Sequence, residues 1–312
     1  MTKHFRIRGL AGAAAIAAAL VASPAMAADP LVDVDWVKAH ATDDGVVLVD
    51  FRPKTDFLRG HIPGSVNSDY AKDGWRVKKG NVPGMMPEDT GKLAEHIGSL
   101  GIGNDTHVIL VPPGASSSDM GTGTRAYWTF KVLGHDEVSI LNGGFAAYAA
   151  KEKDGKPANP LEKGAAKPEP KDFTVDLQKD MIVGIADVKA AAEKGVTLVD
   201  ARPADQYLGV NRHGASKAGG TIPGAKNLPQ TWTTENSGGT FRSPEALKKL
   251  YAAANVDPEA PQIAFCNTGH WASIDWFVAS EILGNKDAKM YDGSMTEWTQ
   301  AGEKTESKIS VN

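Results

Sequence analysis

The feature that most constrains the fold is an internal repeat that runs through both halves of the 312-residue chain. The segment 48–53, Leu-Val-Asp-Phe-Arg-Pro, recurs at 198–203 as Leu-Val-Asp-Ala-Arg-Pro. The segment 61–67, which contains Ile-Pro-Gly, recurs at 221–227, so the second copy has gained residues between the two motifs. Because self-similarity at a long, fixed spacing is typical of repeated structural units, the sequence predicts two domains of one fold.

Length and composition fit two globular domains joined by a linker. Without a predicted leader, the chain is still long enough for two domains of about 100 to 200 residues each. We therefore divide it into a signal peptide (1–27), an N-terminal domain (31–150), a linker (151–171) and a C-terminal domain (172–304). The linker is rich in Pro, Gly and Lys and lacks apolar periodicity, which is typical of an exposed connection.

Each half of the repeat alternates short apolar runs with helical patterns, which indicates parallel β/α/β units. Such sheets are covered by helices on both faces and place ligand sites at the carboxyl ends of their strands. The predicted fold class is therefore α/β, with two tandem domains that each hold a parallel sheet flanked by helices. The strand-like runs are Val46–Val49, Val108–Val111, Thr197–Val199 and Gln262–Phe265, and the clearest helices are Ala186–Ala192 and Pro244–Ala254.

The only cysteine, Cys266, lies at the junction of a predicted strand and a predicted helix. The apolar run Gln262–Phe265 precedes it, and apolar residues at helical spacing begin after Ala272. A loop ahead of a helix can direct several backbone N–H groups, and the positive end of the helix dipole, at one anion. That environment favours the thiolate form of a cysteine, so Cys266 is predicted to be a nucleophile.

The N-terminus has the pattern of a secretory leader. Basic residues precede the apolar run Leu10–Val21, and Ala25-Met26-Ala27 supplies an A-x-A cleavage site. We expect a Sec-type signal peptide cleaved after Ala27 and a periplasmic mature protein without a membrane anchor; an uncleaved anchor is the alternative. The formal net charge of −4 becomes more negative without the leader, which argues against a nucleic-acid partner.

Several motifs together resemble the tandem rhodanese-domain sulfurtransferases, the thiosulfate and 3-mercaptopyruvate sulfurtransferase family. They are the doubled D-x-R-P and I-P-G segments, the D-G-x-x-x-x-W pattern at 292–298 and the six-residue loop opened by Cys266. The resemblance covers residues 33–302 and implies two rhodanese-like domains, of which the N-terminal one is catalytically silent. The first half of the chain fits that expectation because it contains no cysteine.

The resemblance implies a covalent mechanism without any cofactor beyond a cysteine persulfide. Cys266 would take sulfur from a small donor anion and pass it to a thiophilic acceptor such as cyanide, a thiol or a sulfur-accepting protein. Asp200 would support the loop, and Arg202 would lie close to it. His270 would offer a titratable donor and Trp271 an apolar wall at the substrate mouth. The loop residues implied are Asn267, Thr268, Gly269, His270 and Trp271.

The loop departs from the family where the donor is selected. Thiosulfate-preferring members commonly carry a basic residue at the position of Thr268 and an arginine at that of Gln206, whereas mercaptopyruvate-preferring members read Gly-Ser-Gly after the cysteine. Neither pattern is met, and we place thiosulfate ahead of 3-mercaptopyruvate. We predict that Arg212, His213 and Lys217, in the extra residues between the two motifs of the second copy, supply positive charge for binding the donor anion.

These motifs are also compatible with other functions. A cysteine phosphatase needs an arginine six residues after the cysteine, where this chain has Ala272. Cys266 could also be a buried, inert thiol, or the protein could be a persulfide carrier that delivers sulfur to a partner. The segment Gly121–Ala126 imitates a dinucleotide fingerprint but is interpreted as a flexible turn in a long loop. The histidines show no metal-ligand spacing, so no metal site is expected.

Overall fold

The structure is a computed structural model that describes residues 1–2, 28–152 and 155–309. The predicted signal peptide falls on residues 3–27, which lie outside the described residues. None of the helices within the described ranges has the length and apolar character that a membrane span requires.

Residues 28–152 form seven strands and five α-helices. The strands are β1 (Leu31–Val32), β2 (Val46–Asp50), β3 (Val66–Asn67), β4 (Val77–Lys79), β5 (Val82–Met85), β6 (His107–Val111) and β7 (Val138–Leu141). The helices are α1 (Val34–His40), α2 (Lys54–Arg59), α3 (Thr90–Ser99), α4 (Ser117–Val132) and α5 (Gly144–Tyr148).

Residues 155–309 form five strands and five α-helices. The strands are β8 (Ile182–Val183), β9 (Thr197–Asp200), β10 (Lys226–Asn227), β11 (Gln262–Phe265) and β12 (Ala288–Tyr291). The helices are α6 (Ile185–Glu193), α7 (Ala204–Leu208), α8 (Pro244–Ala253), α9 (Ala272–Phe277) and α10 (Ser294–Gln300). A π-helical turn (Val278–Ile282) continues α9, and short 3-10 turns lie at Lys179–Met181, Gln230–Trp232 and Glu235–Ser237.

Each half builds a five-stranded parallel sheet of the same order. The strands follow the order β1-β7-β6-β2-β3 in the first sheet and β8-β12-β11-β9-β10 in the second. The central strands are almost wholly apolar and buried, as expected for sheets covered by helices on both faces. The predicted fold class, two tandem α/β domains with helix-flanked parallel sheets, is thereby confirmed.

Helix α4 corrects the sequence interpretation of the segment Gly121–Ala126. This segment is not a loop but the buried middle of α4, which begins with a capping box between Ser116 and Asp119. Glycine costs helix stability, yet a Cβ on Gly121 would lie 2.7 Å from Nε2 of His270. The glycine is therefore required by close packing between the two domains.

The two domains contact each other through α4 and α9 and through exchanged loops. Thr124 and Ser273 share a 2.7 Å hydrogen bond between these helices, and one apolar core contains residues of both halves. The β4–β5 hairpin of the first domain reaches the second, where the backbone N–H of Met86 donates to Asp292 Oδ2 at 2.7 Å. The described residues of the segment 151–171 are mostly exposed. The cleft that forms between the exchanged loops holds the candidate site.

Candidate active site

Cys266 lies at the base of a small pocket between the two domains. It directly follows β11, at the carboxyl end of a central strand, and only 1% of its surface is exposed. The pocket has a volume of about 230 Å³ and is lined by residues of both domains. These are Arg76 and Ser118 of the first domain and His213, Cys266, Asn267, Thr268, His270 and Trp271 of the second. No carboxylate is among these described lining residues.

Ser294 holds the base of the cysteine loop. Its hydroxyl oxygen accepts from the backbone N–H of Cys266 at 3.0 Å and from that of Gly269 at 3.1 Å. The hydroxyl donates to the carbonyl of Tyr291 at 2.8 Å, and the oxygen lies 4.0 Å from Cys266 Sγ. Ser294 has a φ of 51°, which is unusual for a residue other than glycine. Its position in a strained conformation directly beneath the loop indicates that it shapes the loop.

The loop needs a glycine at position 269 for two reasons. Gly269 has a φ of +75°, and a Cβ there would lie 2.4 Å from Asp292 Oδ1. Within the part of the chain that the structure describes, the backbone N–H groups of Thr268, His270 and Trp271 donate to no acceptor. Unpaired backbone donors beside a pocket are suited to binding an anion.

His270 is fixed by the first domain through both of its ring nitrogens. Nε2 lies 2.9 Å from the carbonyl oxygen of Ser118, so it donates, and Nδ1 then accepts from the hydroxyl of Tyr70 at 3.1 Å. Burial, together with the nearby guanidinium of Arg76, lowers the pKa of His270 to about 3. The structure therefore differs from the sequence expectation of a titratable donor, because the imidazole is neutral at ordinary pH and its hydrogen-bonding atoms are occupied.

The other loop side chains are also held. The indole N–H of Trp271 donates to Ser118 Oγ at 2.9 Å, and this half-buried ring lines the pocket. The side-chain amide of Asn267 donates to Gln206 Oε1 at 2.8 Å. Gln206 thus has a structural contact with the loop.

Arg76 is a site residue that the sequence analysis did not identify. Its Nη2 donates to the carbonyl oxygen of Thr268 at 2.6 Å and to Thr268 Oγ1 at 3.1 Å, and its Nε donates to the carbonyl of Gly84 at 2.8 Å. A Cβ on Gly84 would lie 2.0 Å from Nη2, so only glycine leaves room for the guanidinium. No local sequence pattern marks Arg76, because its partner lies in the other half of the chain.

A buried ion pair connects the domains behind the loop. Arg125 of α4 donates through Nη2 to Asp292 Oδ1 at 2.7 Å, and both side chains are almost fully buried. Asp292 also accepts from the backbone N–H of Met86. The carboxylate next to Gly269 is thereby neutralised by a fixed guanidinium.

The predicted support residues Asp200 and Arg202 form a second buried ion pair, with Nη2 and Oδ2 2.5 Å apart. Arg202 also donates to the carbonyl of Gly220, and Thr221 donates to Asp200. Their side-chain hydrogen bonds thus go to this segment rather than to the cysteine loop. The equivalent residues Asp50 and Arg52 of the first domain form the same pair.

The residues predicted to supply positive charge are only partly brought together. His213 lines the pocket, and its Nδ1 accepts from the backbone N–H of Ala215. Arg212 is exposed and donates to the carbonyl of Ser216, and Lys217 is also exposed. Neither lines the pocket, and their part in substrate binding stays a prediction. Among the described residues, no group of three or more His, Cys, Asp or Glu side chains is arranged to hold a metal ion.

Comparisons with known proteins agree with this architecture. The family model described as Rhodanese-like domain matches residues 33–151 and 185–301. The chain is 33% identical over 282 residues to a putative thiosulfate sulfurtransferase 1 of Mycobacterium bovis, across 86% of this chain and 94% of that protein. It is also 33% identical over 285 residues to the sulfur carrier protein TtuD of Thermus thermophilus, across 86% and 93%.

A solved structure is similar over nearly the same range. The crystal structure of SseA from Escherichia coli, described as a 3-mercaptopyruvate sulfotransferase, superposes with a TM-score of 0.70 at 26% identity. The match covers 86% of this chain and 99% of that one.

Proposed function

Because the chain belongs to the family of tandem rhodanese-domain sulfurtransferases, we propose that it transfers sulfur through a persulfide on Cys266. The donor is a small anion, thiosulfate ahead of 3-mercaptopyruvate, and the acceptor is a thiophile such as cyanide, a thiol or a sulfur-accepting protein. No cofactor beyond the covalent persulfide takes part.

One observation carries the proposal. The Cys266 sulfur lies at a pocket of about 230 Å³ that is lined by a guanidinium and by no carboxylate among the described residues. The loop that follows Cys266 offers the unpaired backbone N–H groups of Thr268, His270 and Trp271. Such donors stabilise negative charge on sulfur as an oxyanion hole does on oxygen. The small volume fits a donor of a few heavy atoms.

The chemistry consists of two displacements at sulfur. The Cys266 thiolate attacks the outer sulfur of thiosulfate, the S–S bond breaks, and sulfite leaves with the electron pair. With 3-mercaptopyruvate the C–S bond breaks instead, and the thiol proton goes to the carbon of the leaving enolate, which gives pyruvate. A thiophile then attacks the outer sulfur of the persulfide and regenerates the thiolate.

The proposal is tested by intact-mass measurement after incubation with each donor and then with cyanide. We expect the gain of one sulfur, its loss on addition of cyanide, and repeated cycles of both. The Cys266→Ser variant should gain nothing. A wild-type protein that gains no sulfur from either donor would show the proposal to be wrong.

A persulfide carrier is the second candidate, and the similarity to a protein named as a sulfur carrier favours it specifically. A carrier would gain sulfur from the same donors but keep it in the presence of cyanide or small thiols. Only a sulfur-accepting protein would then remove it. The cyanide step of the mass experiment therefore separates the two candidates.

We further propose that the protein is exported to the periplasm by a Sec-type signal peptide. The basic residues before Leu10–Val21 and the A-x-A site at residues 25–27 support this. N-terminal sequencing of protein from the periplasmic fraction should give Ala28 as the first residue. Retention of Met1 in a membrane fraction would instead indicate an uncleaved anchor.

A further inference from the structure

The pocket of the second domain contains a cation that its own loop does not supply. The loop has Thr268 in its middle and no basic residue except the neutral His270. Among the described residues that line the pocket, Arg76 is the only arginine or lysine, and it comes from the first domain. The first domain therefore supplies the arginine that gives the pocket its positive charge.

The guanidinium of Arg76 is held in place yet has binding capacity left. Nε and Nη2 donate to Gly84 and Thr268, which fixes the plane of the group. The guanidinium also lies close to the side chain of Tyr70, and within the described part of the chain it forms no ion pair with a carboxylate. A guanidinium that is held by neutral acceptors and is not paired with a carboxylate keeps its positive charge available for an anion.

Among the described residues, the charged groups near Arg76 do not neutralise its positive charge. Asp292 lies nearest the loop, but Arg125 and the backbone N–H of Met86 already satisfy it. Arg76 is itself partly buried, so its charge is screened less by water than that of an exposed side chain. The arrangement offers one net positive charge at the mouth of the Cys266 pocket.

We propose that Arg76 binds the anionic group of the sulfur donor, the sulfonate of thiosulfate or the carboxylate of 3-mercaptopyruvate, and so takes the place of the basic loop residue missing at Thr268. The inference rests on the proposed function for the identity of the donor. The donor that Arg76 would bind carries an oxyanion next to a transferable sulfur atom. Arg76 is thus a substrate-binding residue that the domain without a cysteine contributes.

Steady-state kinetics with thiosulfate and with 3-mercaptopyruvate test the inference in Arg76→Gln, Arg76→Lys and a control. Glutamine can still donate to the Thr268 carbonyl but carries no charge. Loss of a charged hydrogen bond predicts a KM raised by roughly 10- to 100-fold with kcat little changed. Lysine should restore most of the affinity. The control Arg59→Gln removes an exposed arginine of the same domain and should leave both constants unchanged. The donor with the larger KM increase is the one whose anion Arg76 binds.

An added lysine in the loop gives a second test. In the Arg76→Gln background, Thr268→Lys should bring the raised KM back toward that of the wild type, because the charge returns from the other domain. A KM that Arg76→Gln leaves unchanged would overturn the inference. So would a fall in kcat alone, since that would make Arg76 only a positioning residue for the loop.

A binding measurement separates failure of this inference from failure of the proposed function. Sulfate, an oxyanion without transferable sulfur, should slow alkylation of Cys266 by iodoacetamide in the wild type and not in Arg76→Gln. This result supports the inference even if no persulfide forms. Equal protection in both proteins would contradict it, whatever the turnover.

Discussion

The loops that follow the central strands β6 and β11 occupy equivalent places in the two domains and differ in what they leave open. Val111 pairs with Asp50 as Phe265 pairs with Asp200, so Pro112 stands where the second domain has Cys266. Proline has neither a nucleophile nor a backbone N–H. The first loop therefore lacks the sulfur, and it also lacks the backbone N–H that in the second domain donates from Cys266 to Ser294 Oγ.

The space around the two loops differs as well. In the first domain a Cβ on Gly114 would lie 2.0 Å from the carbonyl oxygen of Gly143, and one on Gly239 would lie 2.1 Å from that of Gly114. Backbone from both domains thus fills the place where the second domain has a pocket. The comparison teaches that the fold supplies the scaffold twice, whereas a site also needs a thiol and an open volume.

The nucleophile itself should give the largest effect. Cys266→Ser removes the sulfur and should lower the rate of sulfur transfer by roughly 10³-fold or more, since no other thiol exists in the chain. Thiosulfate–cyanide turnover measures it. The reciprocal double variant, Pro112→Cys with Cys266→Ser, places the thiol in the first domain. It should stay inactive because the backbone of Gly143 and Gly239 packs against Gly114 and leaves no room for a donor. Sulfur gain by that double variant would break the comparison.

The interdomain ion pair should give the next largest effect. Arg125→Met leaves the Asp292 carboxylate buried without its partner, which should lower the free energy of unfolding by about 3–5 kcal/mol. The segment 141–144 of the first domain matches 291–294 of the second, so Asn142 is the counterpart of Asp292. The neutral side-chain oxygen of Asn142 accepts from the backbone N–H of Phe241 at 2.9 Å. Adding Asp292→Asn to Arg125→Met should therefore recover part of the loss.

Urea unfolding measures both variants, with the exposed Arg59→Met as the control. If the double variant is no more stable than Arg125→Met alone, a neutral amide at position 292 does not relieve the loss of Arg125, and the comparison with Asn142 is wrong.

Ser294 extends the comparison because the match between residues 141–144 and 291–294 makes Gly144 its counterpart in the first domain. Ser294→Ala deletes the acceptor of two buried loop N–H groups and should lower the unfolding free energy by about 1–3 kcal/mol. Sulfur loading of Cys266 should slow as the loop loosens. The exposed Ser99→Ala is the matched control, measured by the same urea titration and mass assay. Unchanged stability would mean that the hydroxyl does not hold the loop.

His270 should give the smallest effect, which appears only when the pH is lowered. Its pKa in the folded protein, about 3, is below the ordinary 6.5 because of burial and Arg76. Between these values the unfolded chain binds a proton that the folded chain does not, so stability falls as the pH falls. The contribution lost between pH 7 and pH 5.5 is about 1 kcal/mol.

The difference in unfolding free energy between pH 7 and pH 5.5 should shrink by that amount in His270→Gln. His40→Gln, at a partly exposed histidine, serves as the control. An unchanged pH dependence in His270→Gln would contradict the assignment of the low pKa to the buried ring.

The sequence predicted the doubled α/β fold because the repeat and the alternation of apolar runs are local patterns. It also predicted Cys266 at a strand end, since a lone thiol between strand and helix is visible without any tertiary contact. It was wrong about Gly121–Ala126, where two glycines suggested a loop. Helix α4 keeps Gly121 because the ring of His270 packs against it, a contact that joins residues 149 positions apart.

The sequence by itself determined the two domains, the thiol and the loop that follows it. Only the tertiary structure decided which residues of the first domain complete the site. Arg76, Tyr70 and Ser118 contact the loop through hydrogen bonds that close only when the domains pack together. Such contacts join residues of different elements, and no periodicity or motif encodes them; the physical reason is that their geometry depends on the packing of α4 and the hairpin against the second domain.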